Sequence, residues 1–252
     1  MCILFIAVQQ HPQYPLIMAA NRDEFYARPT AESQFWAGHP HLLAGQDLQS
    51  GGTWMGINKD GHLAALTNFR DPSLVRDDAP SRGHLVSDYL IKPIANYREQ
   101  LITHAQDYNG YNLLYGHWQS LHVYNNVSNQ HVDLTPGVYG LSNAMLDTPW
   151  PKLSQGVEQL KQALDYSETE LENALFNVLS NESLAADHDL PDTGVGHEIE
   201  KALSSIFINL EHYGTRSSTI LLIDNNSEVH WREKTYASDG NVLSQQQYRF
   251  TI

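Results

Sequence analysis

The sequence predicts an α+β fold, a layered sandwich of two antiparallel sheets between helices. Three observations point there. Strand-like apolar runs come in neighbouring pairs joined by short turns, which favours antiparallel hairpins over crossovers. Helical spacing is confined to two blocks, 83–108 and about 148–179, enough to cover two outer faces. Hairpins precede, separate and follow these blocks, and no repeat, low-complexity tract or linker cuts the chain. Residues 1–252 therefore read as a single domain.

Each element has a local reason. The apolar runs 3–8 and 15–20 flank the loop-like QQHPQY and read as a hairpin. A turn near His11 and Pro12 pairs residue 2 with about residue 21, which brings Cys2 to within a strand spacing of the polar run Asn21-Arg22-Asp23-Glu24. Residues 53–58 and 62–68 alternate around Lys59-Asp60-Gly61, and Asp-Gly is a strong turn signal. The helical block 83–108 breaks at Pro93. Strands follow at 111–118 and 121–126, then a turn at Thr135-Pro136-Gly137. A helix starts near Thr148-Pro149, with threonine as cap and proline at the first position, and runs to about 164. Ser167 and Glu170 form a capping box for a second helix ending near 179. Residues 185–197 are a polar, turn-rich surface loop. Three strands close the chain at 216–224, 228–236 and 246–251.

Composition narrows the partners. The 252 residues are 41% hydrophobic with a formal net charge of −14. Such a surface repels nucleic-acid phosphates and anionic membranes. One cysteine forms no internal disulfide and fits a reducing compartment. The run 3–8 is too short for a signal peptide and no stretch approaches ~18 apolar residues. A cytoplasmic protein without stable membrane insertion is expected, and no residue pattern specifies an oligomeric state.

Chemistry concentrates at the start of the chain. Removal of the initiator methionine leaves Cys2 with a thiol and a free α-amine, whose ordinary pKa of ~7.7–8.0 suits a general base for its own thiol. A lone cysteine at a strand start is otherwise a small buried hydrophobe. A working site also needs a carboxylate to hold the amine, hydrogen-bond donors for an oxyanion and a cation near the thiolate. Asp23 is the candidate carboxylate and Arg22 or Arg216 the cation. Asn68 and Asn143 end the strand-like segments HLAALTN and YGLSN, where a side-chain amide can project into a pocket. His197-Glu198-Ile199-Glu200-Lys201 lacks the second histidine of a zinc helix, and no metal-ligand set is expected.

Several long motifs occur in order: MCI, LIMAANRDEFYARPT, GGTWMGI, HLAALTN, GLSNAMLDTPWPK and YGTRSSTILLID. Together they resemble the NRDE, or transport and Golgi organisation 2-like, family from residue 2 to about 235. That family in turn is similar to N-terminal-nucleophile hydrolases of the choloylglycine hydrolase and penicillin V acylase type. The resemblance implies a four-layer αββα sandwich. It implies Cys2 as nucleophile, Asp23 as the holder of the amine, Asn68 and Asn143 as strand-end and oxyanion asparagines, and Arg216 as the arginine near the thiol. Asn21, Arg22, Glu24, Gly52 and Trp54 are implied as ligand-binding residues, the last two as pocket wall. The hydrolases read Arg-Asn-x-Asp where this chain reads Ala20-Asn21-Arg22-Asp23, so substrate positioning departs from theirs.

Two functions follow from the resemblance. The family implies intracellular handling of haem or a similar amphipathic metabolite on a hydrolase scaffold, with no cofactor required and haem as a ligand. The alternative is an N-terminal-cysteine hydrolase of amide or thioester bonds acting on an acyl compound. His11, His39, His41 and His84 read as loop residues, and no Cys-x-x-Cys-His is present for covalent haem attachment.

Overall fold

Strands β1 (Cys2–Val8) and β2 (Leu16–Phe25) form the first hairpin. The computed structural model describes residues 2–252. Every strand pairing in its two sheets is antiparallel. Residues up to Ala27 together with Thr135–Thr251 form one unit, and Arg28–Leu134 form the other.

In the first unit, β10 (Gly137–Leu141), β11 (Tyr213–Ile223), β12 (Glu228–Tyr236) and β13 (Val242–Thr251) join the hairpin. The sheet order is β10-β1-β2-β11-β12-β13. Side chains alternate between the faces of a strand. One face, through Ile3, Phe5, Ile17, Ala19, Ile220 and Leu222, packs on α3 (Pro151–Ala163) and α4 (Glu168–Leu179) as a continuous core. Each isoleucine, leucine or phenylalanine among them contributes about 1.5–3 kcal/mol when fully buried. Helix α4 opens with the capping box of Ser167 and Glu170. Helix α3 starts later than its sequence suggests: Trp150 is the cap and Pro151 takes the first position, while the Thr148 hydroxyl donates to the Met145 carbonyl at 2.8 Å. A short α5 (His197–Ala202) begins at the end of the predicted loop.

The hairpin register differs from the expected one by a single residue. Cys2 lies opposite Arg22 and Ile3 opposite Asn21, so the turn centres on Pro12. Gln9 takes a positive φ of 52° and its N–H donates to the Pro15 carbonyl at 2.7 Å, which closes a symmetric loop about that proline. Strand β2 also continues to Phe25 and does not end at residue 20. Its polar residues stay in the ladder because β11 pairs with them.

In the second unit, β3 (Thr30–Trp36), β4 (His39–Asp47), β5 (Met55–Asn58), β6 (His62–Asn68), β7 (Tyr111–His117), β8 (Ser120–Asn125) and β9 (Gln130–Asp133) form a sheet in sequence order. Helices α1 (Gly83–Ile91) and α2 (Tyr97–Thr103) are separated around Pro93 as predicted. They supply Val86, Tyr89, Leu90, Tyr97 and Leu101 to a core with Leu42, Ala64 and Leu113. His39 and His41 lie in β4 and His84 lies in α1, correcting their reading as loop residues. Among the described residues, no helix is long and apolar enough to cross a membrane.

Candidate active site

Register places the candidate side chains of the first unit. Leu4 pairs with Leu141 of β10, so continuing that register past the strand end sets Asn143 beside Cys2. Cys2 pairs with Arg22, and Arg22 pairs with Ser217 of β11. Asn143, Cys2, Arg22 and Ser217 thus form one row across the sheet, and directly opposed residues share a face. The Asn143 amide, buried, lies against the Cys2 carbonyl with Nδ2 donating at 3.5 Å. The Ser142 hydroxyl donates to Asn143 Oδ1 at 3.2 Å, which fixes which end of the amide faces Cys2.

Asp23 follows in β2. Its main-chain N–H points at the Cys2 thiol, and its Oδ1 accepts from the Thr215 hydroxyl at 2.8 Å. Thr215 is itself tied to Ile208 through a hydrogen bond from the Ile208 N–H at 3.0 Å. Burial pushes the Cys2 thiol above its ordinary pKa, the Asp23 carboxylate adds to that rise, and the Arg22 guanidinium works against it. The thiol is therefore held in its neutral form at neutral pH unless a local base takes its proton.

Arg216 sits on a bulge. The β2–β11 register slips between Thr215 and Ser217, an arrangement that re-aims one side chain. Its Nη1 donates to the carbonyls of Phe25 at 3.0 Å and Tyr26 at 3.2 Å. Burial raises the Tyr26 phenol, and Arg216 beside it acts in the opposite direction. Glu24 is partly exposed and its carboxylate accepts from the Phe25 N–H at 2.9 Å.

Asn21 has another task. It is 1% exposed and lies on the helix-facing side of the sheet. Its Nδ2 donates to the carbonyls of Leu179 at 2.8 Å and Ile206 at 3.0 Å, and its Oδ1 accepts from Ser218 at 2.6 Å. The two donated bonds hold the end of α4 and the segment at Ile206 to the sheet, and the accepted one ties β2 to β11. Ser217 is the residue that sequence reasoning missed. Its hydroxyl is buried with no hydrogen-bond partner, in line with Arg22. The signal was the alternation in GTRSST once the bulge at Arg216 is allowed for.

The remaining predicted residues belong to the second unit. Asn68 ends β6, paired with Tyr111 and partly buried. Gly52 and Trp54 form a strand–helix joint. A Cβ on Gly52 would lie 2.5 Å from the Gly83 carbonyl carbon, and the Thr53 N–H donates to the Gly83 carbonyl at 3.2 Å. The Trp54 ring covers Gly45, whose Cβ would stand 2.3 Å from it. Replacing Gly52 with alanine is expected to cost about 1–3 kcal/mol in urea unfolding, as overpacking does. Unchanged stability with weakened ligand binding would instead support the pocket-wall role expected from the sequence.

Comparison with known proteins agrees with this architecture. Residues 1–238 match the family described as Transport and Golgi organisation 2. The chain is 35% identical to the mouse Transport and Golgi organization 2 homolog, covering 100% of this chain and 99% of that protein. It is 30% identical to the Drosophila melanogaster Transport and Golgi organization protein 2, covering 93% and 92%. Among solved structures, a mutant conjugated bile acid hydrolase from Clostridium perfringens superposes with a TM-score of 0.51 at 10% identity, over 100% of this chain and 97% of that one. At that identity the likeness is one of fold, that of the N-terminal-nucleophile hydrolases.

Proposed function

Since the chain belongs to the Transport and Golgi organisation 2 family and has the fold of N-terminal-nucleophile hydrolases, we propose that it cleaves the amide or thioester bond of an amphipathic acyl compound with Cys2 as nucleophile. The row Asn143–Cys2–Arg22–Ser217 carries this reading. Once the initiator methionine is removed, the α-amine of Cys2 takes the proton from its own Sγ. The sulfur attacks the substrate carbonyl, and Asn143 donates to the oxyanion. The C–N or C–S bond breaks, and the leaving group takes the proton from the α-ammonium. Water then attacks the thioester with the amine again as base, releasing a carboxylic acid and restoring the thiol. Asp23, fixed by Thr215, orients the amine, while Arg22 and the unpartnered hydroxyl of Ser217 bind the polar end of the substrate.

A second reading, handling of haem or a similar planar amphipathic ligand, is favoured by one observation. A cavity of about 350 Å³ in the second unit is lined by Tyr89, Tyr97, Tyr108 and Tyr111, with His84 and His104 beside them. Imidazoles ligate haem iron and aromatic rings stack on a porphyrin. The deciding experiment is intact mass spectrometry of the chain from its native host, followed by incubation with a panel of N-acyl amides and acyl thioesters. The hydrolase reading expects a mass without methionine and a transient acyl adduct on Cys2. A retained methionine with no adduct, and saturable haem absorption that survives Cys2→Ala, would replace it with the carrier reading.

A further inference from the structure

The last hairpin of the second unit gathers two imidazoles and a carboxylate on one face. His122 of β8 lies opposite Asp133 of β9, and Tyr124 lies opposite His131. Opposed residues share a face and alternate residues return to it, so His122, His131 and Asp133 point to the same side. One donor atom from each lies within 4.8 Å of the other two. His122 Nδ1 is 2.7 Å from Asp133 Oδ1, and His131 Nδ1 is 3.4 Å from the same oxygen. Four-coordinate zinc, with bonds of roughly 2.0–2.2 Å to nitrogen and oxygen, sets its ligand atoms about 3.3–3.5 Å apart; the His131–Asp133 separation matches, and the His122–Asp133 hydrogen bond opens slightly to admit the ion.

The surroundings orient the donors. Tyr115 of β7 lies opposite His122, and its hydroxyl is hydrogen-bonded to His131 Nε2 at 2.8 Å. That bond occupies the far nitrogen and leaves Nδ1 facing the carboxylate, the arrangement by which an outer group fixes a metal-binding imidazole. The His131 side chain is 5% exposed, whereas Asp133 is 68% exposed, so the cluster has a buried wall and an open side for entry. The Arg98 guanidinium lies near enough to His131 to act on it electrostatically. Arg98 is the nearby cation that opposes metal binding. The Asp133 carboxylate and the net charge of −14 act the other way.

We propose that His122, His131 and Asp133 form a binding site for a divalent borderline cation, Zn²⁺, with Tyr115 as a positioning residue. Two imidazoles and a carboxylate suit this ion better than the all-oxygen shells of Ca²⁺ or Mg²⁺. The bound ion would clamp β9, the end strand of its sheet, to β8 and keep a fourth coordination position open to solvent. Nothing in this proposal depends on the chemistry at Cys2.

The test is titration of the full-length chain with Co²⁺, read by its visible ligand-field absorption, followed by displacement with Zn²⁺. One equivalent is expected to give a saturable band that Zn²⁺ abolishes. His131→Ala and Asp133→Asn should each remove the band, and Tyr115→Phe should weaken the affinity about 10- to 100-fold. Asp133→Asn changes an exposed side chain and should fold as the parent does, which circular dichroism checks. Cys2→Ala should leave the band intact. Absence of a saturable band, or one that survives both His131→Ala and Asp133→Asn, overturns the site. A band lost in Cys2→Ala or in His230→Ala instead places the ion at the thiol or at the Asp224, Glu228 and His230 cluster, and equally overturns it.

Discussion

Cys2→Ala is expected to abolish acyl-adduct formation and to lower turnover by at least ~10³-fold, because loss of the nucleophile removes the covalent route entirely. The fold should survive. Cys2 stands at the first position of β1, and loss of its one sulfur atom costs about 1 kcal/mol. A companion measurement separates the two forms of the chain. Burial raises the thiol pKa, so a chain that keeps its methionine should react slowly with iodoacetamide at neutral pH and faster as the pH rises. A chain with Cys2 at its N-terminus should already react near the pKa of the amine. Equal pH profiles for both forms, or turnover that persists in Cys2→Ala, would remove the nucleophile from the proposed mechanism.

Asn21→Leu should instead destabilise the protein by about 3 kcal/mol or more without acting on the chemistry. The leucine leaves the Leu179 and Ile206 carbonyls buried without the donor they now have, and each unsatisfied group costs about 1–3 kcal/mol. Ser218 loses the acceptor for its hydroxyl proton as well, although Tyr236 still donates to its oxygen at 3.1 Å. Urea unfolding measures the loss. A change below ~1 kcal/mol accompanied by a raised KM would show that Asn21 serves the ligand and not the fold.

The contrast between these two positions explains what could be read in the sequence. The hairpins, the two helical blocks, the capping box at Ser167 and the nearness of Cys2 to Asp23 were legible from apolar alternation and turn residues, and the nearness of Asn143 to Cys2 from the family resemblance. The faces of β2 were not. A turn centred on Pro12 and one centred between His11 and Pro12 fit the same loop, yet the choice reverses which polar residue stands beside the thiol. Strands β3, β4 and β9 escaped because ESQF, HPH and QHVD mix polar residues and proline without clean alternation; β3 and β9 are the two ends of their sheet. The metal-type cluster was invisible for a related reason. His122 and Asp133 are brought together only by the β8–β9 pairing, and no short motif encodes it.

The alternation along Asn21-Arg22-Asp23 has an evolutionary consequence. Asn21 answers to folding and, in the proposed mechanism, Arg22 answers to the ligand, so two selective pressures interleave within a tripeptide. A lineage that changes its substrate is free to alter Arg22 while Asn21 stays fixed, and a lineage that loses activity altogether retains Asn21 as long as it keeps its shape. An unchanged Asn21 therefore reports a kept fold, whereas Arg22, in the proposed mechanism, is the position that carries a record of what each descendant binds.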